Sequence, residues 1–321
     1  MDFLANYFGS LNPVSFLSAL PGNIAQGIIW GLMGLGVFLT FKLLNFADLS
    51  VDGSFATGGA VTAVMLINGC PVWATIIVAI LAGLAAGLVT GLLHTLLGIP
   101  DILAGILTQI ALYSINLNIM GKSNLPISYR NYTLVVSASN INMAILVGLG
   151  ICAVVVAAMY WYFGTEQGST IRSTGSNPAM SKAQGININF TKVIALALSN
   201  GLVALSGSLF AQYQGFADIN MGRGAIVIGL AAVIIGEVLG EAIFRKHMNF
   251  IIRMLFVIVG GILYYIAMGI VLWLKMPTDD TKLFTAIIVA IFLAVPYLQK
   301  KRKTSFKKVA KMNAKNAQKE G

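Results

Sequence analysis

Residues 71–100 read PVWATIIVAILAGLAAGLVTGLLHTLLGIP, thirty positions without a Lys, Arg, Asp or Glu. A helix crosses a bilayer with about 20 consecutive apolar residues, whereas a core helix of a soluble domain is apolar over about 10–14. This run therefore reads as a membrane span. Working outward, the same pattern recurs at Asn23–Phe41, Ile102–Gly121, Asn131–Thr165, Val193–Ala217 and Met254–Trp273, with a shorter run at Leu283–Gln299. Two weaker spans, Gly53–Cys70 and Gly224–Ile243, bring the expected number to nine, and the second of them carries Glu237 and Glu241.

Composition agrees. Hydrophobic residues make up 57% of the 321 positions and charged residues 10%, with mean hydropathy +0.84. A soluble domain carries about 25% charge, and a β-barrel would show alternating segments of about ten residues. The expected fold is all-α, a polytopic membrane helical bundle. Its N-terminal 22 residues hold no Lys or Arg, and Asn12 and Pro13 interrupt their apolar stretch. They lack the pattern of a cleavable signal and are assigned as an outer or interfacial segment. Residues 23–299 form the expected transmembrane domain and 300–321 a basic tail.

Charge orients the chain. Nine Lys/Arg crowd residues 300–319, which places the tail in the cytoplasm. Nine spans counted back from there put the N-terminus outside, and 16 of the 21 Lys/Arg then fall inside. The tail is read as a topology anchor against lipid, not as a nucleic-acid site.

Within the spans, Gly83, Gly87 and Gly91 form overlapping GxxxG steps and Gly27 and Gly31 another, the pattern that lets helix backbones approach closely. Neutral polar residues also fall inside spans: Thr108, Gln109, Asn116, Ser199, Asn200, Ser206, Ser208 and Gln212. Each either lines a polar path or bonds a neighbouring helix, and Gln109 and Asn200 are the candidates for the path. Residues 45–60, NFADLSVDGSFATGGA, place two acids between apolar runs. Intramembrane acids face a bundle interior or a water-filled cavity. Non-helical backbone at that depth needs protein or water to satisfy it. Asn45, Asp48, Ser50 and Asp52 are accordingly assigned to a broken or re-entrant element near an inner gate, the alternative being a cytoplasmic turn that caps the next helix.

Residues 166–190, EQGSTIRSTGSNPAMSKAQGININF, form the longest interior connection. Asn177 suits an N-cap, Pro178 the first helical position and Gly185 a C-terminal stop, so a short helix is expected there. A capped helix exposed between two spans is a surface for a soluble partner.

The run from Arg172 to Asn187 resembles the coupling loop of ABC importer permeases, and most nearly the group serving branched-chain amino acids and ribose-type sugars. Arg172, Gly175, Asn177 and the Gly185-Ile-Asn187 triplet stand at the family's spacing, while Met180 and Ser181 replace the usual alanines. NFADLSVDGS is similar to signatures of both the amino-acid and the sugar branch. GLAAVIIGEVLGE (229–241) resembles the family's late small-residue helix, with Glu237 where glycine is commoner. The mixture looks like a subgroup associated with amino acids, tryptophan and tyrosine among them. The resemblance implies a permease that works as a homodimer or paired permease, with two cytoplasmic ATPase subunits and an extracytoplasmic substrate-binding protein, in a bacterial inner membrane. ATP and Mg would sit on the ATPase; the chain holds no GxxxxGK[ST] phosphate loop and is not expected to be an enzyme. Arg172, Gly175, Asn177, Ala179, Ala183 and Gly185 would carry the coupling. The competing reading is a stand-alone secondary transporter or channel, with Glu237 and Glu241 as its coupling acids.

Overall fold

The computed structural model describes residues 13–129, 132–244, 248–274, 283–291 and 294. Ten α-helices are ordered α1 (Pro13–Val37), α2 (Val51–Ile67), α3 (Val72–Thr95), α4 (Asp101–Met120), α5 (Ile141–Gly164), α6 (Glu166–Ser176), α7 (Pro178–Ala183), α8 (Ile188–Gln214), α9 (Ala225–Phe244) and α10 (Phe250–Trp273). Residues 283–291 are helical as well. The only strands among the described residues form a ribbon of two three-residue strands, β1 (Asn124–Pro126) and β2 (Phe216–Asp218), paired antiparallel with Leu125 opposite Ala217.

Among the described residues, seven helices are long and apolar enough to cross a membrane, where the sequence suggested nine. The weak span at 53–70 shortens to α2, whose 17 residues reach about 25 Å at 1.5 Å per residue. The final run extends beyond the described residues, as do residues 1–12, the tail from 300 onward, Arg245 and His247. The first helix also differs from its expected start at Asn23. It begins at Pro13 and runs on as a π-helix to Leu43, because proline at a helix start gives up no hydrogen bond. The charge-free run from Asn131 becomes helical at Ile141; before it, the backbone N–H groups of Val135 and Ala138 bond to Gln212 and Tyr213 instead.

Two helices form the axis of the bundle. α1 with its π-helical end is 83% buried along its apolar window and α8 72%, against 22–39% for the other five spans. They run antiparallel and are laced by hydroxyls: Ser199, Ser206 and Tyr213 of α8 donate to the carbonyls of Gly36, Ile29 and Gly22, at 2.8, 2.7 and 3.3 Å. Both sets recur every seven residues, two helical turns, so a single seam carries all three bonds. Trp30 of α1 stacks on Phe55 of α2 and meets Phe210 of α8 edge-on, which joins α2 to the axis.

The glycine steps serve packing, as their spacing suggests. A Cβ on Gly83, Gly87 or Gly91 of α3 would strike the backbone of α8 at Asn200, Leu196 and Val193, and one on Gly27 or Gly31 that of α10 at Ile262 and Ile258. Lys42, Glu237 and Arg253 tie the ends of α1, α9 and α10 together, with Glu237 accepting from Lys42 at 2.8 Å and facing Arg253 at 3.6 Å. Glu237 is thereby held in a brace. That geometry opposes its reading as a free coupling acid.

Candidate functional site

The connection between α5 and α8 contains two helices where the sequence suggested one. Thr165 caps α6, its hydroxyl oxygen accepting from the Gly168 amide. Asn177 caps α7, accepting from the Met180 amide at 3.1 Å, with Pro178 in the first turn. The chain leaves α7 through Gly185 at φ +84°, a conformation glycine adopts without a Cβ penalty.

The six residues expected to carry coupling divide into two sets. Asn177, Ala179, Ala183 and Gly185 are exposed, beside Met180 at 58% exposure. Arg172, itself exposed, and Gly175, both on α6, make contacts to the bundle. The Arg172 guanidinium donates to the Phe163 carbonyl at 2.9 Å and lies over the Phe250 ring. A Cβ on Gly175 would collide with the Leu43 carbonyl. The exposed helix is thus mounted on a second helix in backbone contact with the end of α1.

Just beyond that contact, residues 44–50 leave helical structure. Asn45 sits at φ +55° and is exposed. Asp48 is 2% exposed and Ser50 fully buried. One Asp48 carboxylate oxygen accepts from both the amide and the hydroxyl of Ser50, and the other accepts from the Asn200 side-chain amide at 2.7 Å. The second Asn200 amide hydrogen goes to the Leu196 carbonyl at 3.0 Å. Every donor in this group has a partner, and the acid is held at the N-terminal end of α2, where the helix dipole favours negative charge.

Asp52 stands one turn later and bonds a different element. Its two oxygens accept from the amides of Gly224 and Ile226 at 2.9 and 2.8 Å, so it caps α9 from the first turn of α2. Gly222 permits this approach, since a Cβ there would meet the Asp52 carbonyl. The N-termini of α2 and α9 therefore converge on one carboxylate.

Beside that junction lies a cavity of about 320 Å³ lined by Asp52, Gly53, Ala56, Gln109, Ile110, Tyr113, Asn116, Ile219 and Arg223. Gln109, Tyr113 and Asn116 project from one face of α4, as their spacing of four and three requires. Of the residues expected to line a path, Asp52 and Gln109 reach the cavity. Asp48, Ser50 and Asn200 form the closed group instead, and Asn45 lies outside both. Sequence reading counted Asn116 among the intramembrane amides without singling it out, and it passed over Tyr113 and Arg223. Only the helical spacing of 109, 113 and 116 pointed to a shared face.

A bundle of apolar spans, a polar cavity among them and a capped helix exposed on a connection define a membrane transport subunit. The profile of the family described as branched-chain amino acid transport system / permease component matches residues 22–296, and the chain belongs to that family. It is an ABC transporter permease. It is 42% identical over 301 residues to the tyrosine transport system permease protein of Clostridioides difficile, covering 93% of this chain and 99% of that one. It is 27% identical to the D-allose transport system permease protein AlsC of Escherichia coli, over 80% and 77% of the two chains. A solved structure, PsaBC from Streptococcus pneumoniae in complex with Fab, shares the fold with a TM-score of 0.51 at 16% identity, over 91% of this chain and 94% of that one.

Proposed function

We propose that the chain forms, with a second copy or a paired permease, the translocation path of an ATP-driven importer for an amino acid. Two cytoplasmic ATPase subunits, which would hold ATP and Mg, dock on α7, and a separate binding protein delivers the solute from outside. The amino-acid assignment draws on the tyrosine permease that this chain resembles over nearly its whole length. The setting is a bacterial inner membrane, with the N-terminus outside and the basic tail in the cytoplasm, where the charge distribution puts them. Nine spans fit this orientation. In that count residues 45–60 are a broken span: Asn200 is near the middle of the 27-residue α8, so the non-helical 44–50 segment that bonds to it rises to mid-depth before α2 begins. Polar backbone there is satisfied by protein.

One observation carries the mechanism. α7 is exposed, α6 behind it touches the Leu43 carbonyl through Gly175, and residue 43 leads directly into the broken segment. Movement of an ATPase against α7 has a short, rigid route to Asp48 and the cavity. The test is purification from native membranes in mild detergent, with Ala179→Glu and Gly175→Leu variants. The α7 variant is expected to lose a near-stoichiometric soluble ATPase. The α6 variant is expected to retain it while ATP hydrolysis no longer drives uptake. Solute movement by the isolated chain without ATP would overturn the reading.

A further inference from the structure

We infer that the cavity between α2, α4 and the 219–223 turn is a binding subsite for a zwitterionic amino acid, held by Asp52, Asn116 and Arg223. The inference rests on the importer reading and deepens it by naming residues and ligand chemistry. Three observations converge on this cavity.

Asn116 is fully buried, lines the cavity, and neither its Oδ1 nor its Nδ2 has a hydrogen-bond partner among the described residues. Burying an amide without partners is costly, and isosteric leucine would fill the same space more cheaply. An unpartnered amide at the cavity wall carries one donor end and one acceptor end, which matches a ligand that carries both. Around it stand opposite charges. Asp52 supplies the carboxylate; each of its oxygens accepts one backbone N–H, and a carboxylate has about four acceptor positions in all, so two remain for an ammonium group. Arg223 lies on the rim, exposed and without an ion pair among the described residues, and its planar fork suits a carboxylate. Ile110, Tyr113 and Ile219 form the apolar part of the wall, where an amino-acid side chain would lie. The volume of about 320 Å³ falls at the lower end of the roughly 300–1,000 Å³ of small-molecule sites.

A sugar's hydroxyls would bond any of these polar groups but bring no charge to match either the acid or the arginine. The paired charges therefore select the zwitterion. The Asp48 group provides the contrast: it too sets an aspartate beside an asparagine, but every donor is already engaged.

The test uses the full transporter in lipid nanodiscs, with L-tyrosine as probe and three competitors: L-phenylalanine, L-tyrosine methyl ester and D-allose. Saturable L-tyrosine binding is expected to be displaced by L-phenylalanine and at least tenfold more weakly by the ester, which lacks the carboxylate, and not by D-allose. Asn116→Leu and Arg223→Gln are each expected to weaken binding tenfold or more. Asn116→Leu is also expected to raise the melting temperature, because it removes an unpartnered buried amide; this separates loss of a ligand contact from loss of fold. Unchanged affinity in both variants, or displacement by D-allose as effective as by L-phenylalanine, would overturn the subsite. ATP-driven tyrosine uptake with unaltered kinetics in both variants would overturn it while leaving the importer standing, whereas uptake that needs no ATP would bring down the importer reading itself.

Discussion

Asp48 and Asp52 stand four residues apart on one short stretch, and the structure uses them in opposite ways. Asp48 is enclosed, with three donors on its two oxygens and all of its neighbours satisfied. Asp52 is only part-buried, ties two helix starts together and turns toward a cavity that contains an unpartnered amide. Burial alone does not mark a functional group, since Asn116 beside the cavity is as fully buried as Asn200 in the closed group. The bonding state of the neighbours does: a satisfied group has little left to offer a ligand, while an unsatisfied one retains an unspent capacity.

Removing Asp48 should break the comparison most visibly. Asp48→Ala leaves the Ser50 amide and one Asn200 amide hydrogen unpaired in a dry site, at about 1–3 kcal/mol for each orphaned group. A melting temperature in detergent well below that of the native protein is expected, or failure to accumulate in membranes. Native-like melting would show that water reaches residue 48 and that the two acids are more alike than their burial indicates. Asp52→Ala should cost less, about 0.5–2 kcal/mol as for other lost helix caps, because Gly224 lies at an exposed position. Its effect on uptake should nonetheless exceed that of any stability-matched change elsewhere in the bundle, as a direct comparison of uptake per folded protein would reveal.

A double-mutant cycle sharpens the contrast. Asp48→Leu and Asn200→Leu should each destabilise, yet the pair together should cost less than the sum of the two, since the double change removes both partners of their shared bond and leaves only the Ser50 groups stranded. A coupling of about 0.5–3 kcal/mol between them is expected. The corresponding pairing of Asp52→Leu with Asn116→Leu should show little coupling in stability, because the structure contains no bond between those side chains. Chemical denaturation of the four proteins in each cycle would decide.

Much of this architecture was legible from one dimension. The long apolar runs became α3, α4, α5, α8 and α10, and Asn177, Pro178 and Gly185 marked the helix that they now bound. Local signals carried those parts: hydropathy over one helix, caps within one turn. What stayed hidden depends on meetings between distant segments. The amides of Gly224 and Ile226 reach Asp52 across 172 and 174 residues, so α9 starts at a site that no local signal links to α2. Asn116 and Asn200 are both amides in apolar spans, and the sequence favoured Asn200 for the path; only their surroundings show Asn200 engaged and Asn116 idle. Pro13 misled for a local reason, since a proline ends one helix and begins another with equal ease.

The smallest effect tests the comparison from the opposite side. If Arg223 belongs to a ligand and not to the fold, Arg223→Gln should leave stability within about 0.5 kcal/mol, the range of surface changes that touch no special feature. The side chain is exposed, it forms no ion pair among the described residues, and the 219–223 turn is held by its own backbone bonds, Met221 to Asp218 and Arg223 to Asn220. Nothing in that turn depends on the guanidinium. A melting curve that overlays the native one, together with weakened L-tyrosine binding, is the expected pair of results. A clear drop in melting temperature would instead assign Arg223 a structural role like that of Arg172, whose guanidinium grips a carbonyl of its own bundle, and the asymmetry between the two acids would lose its positive counterpart.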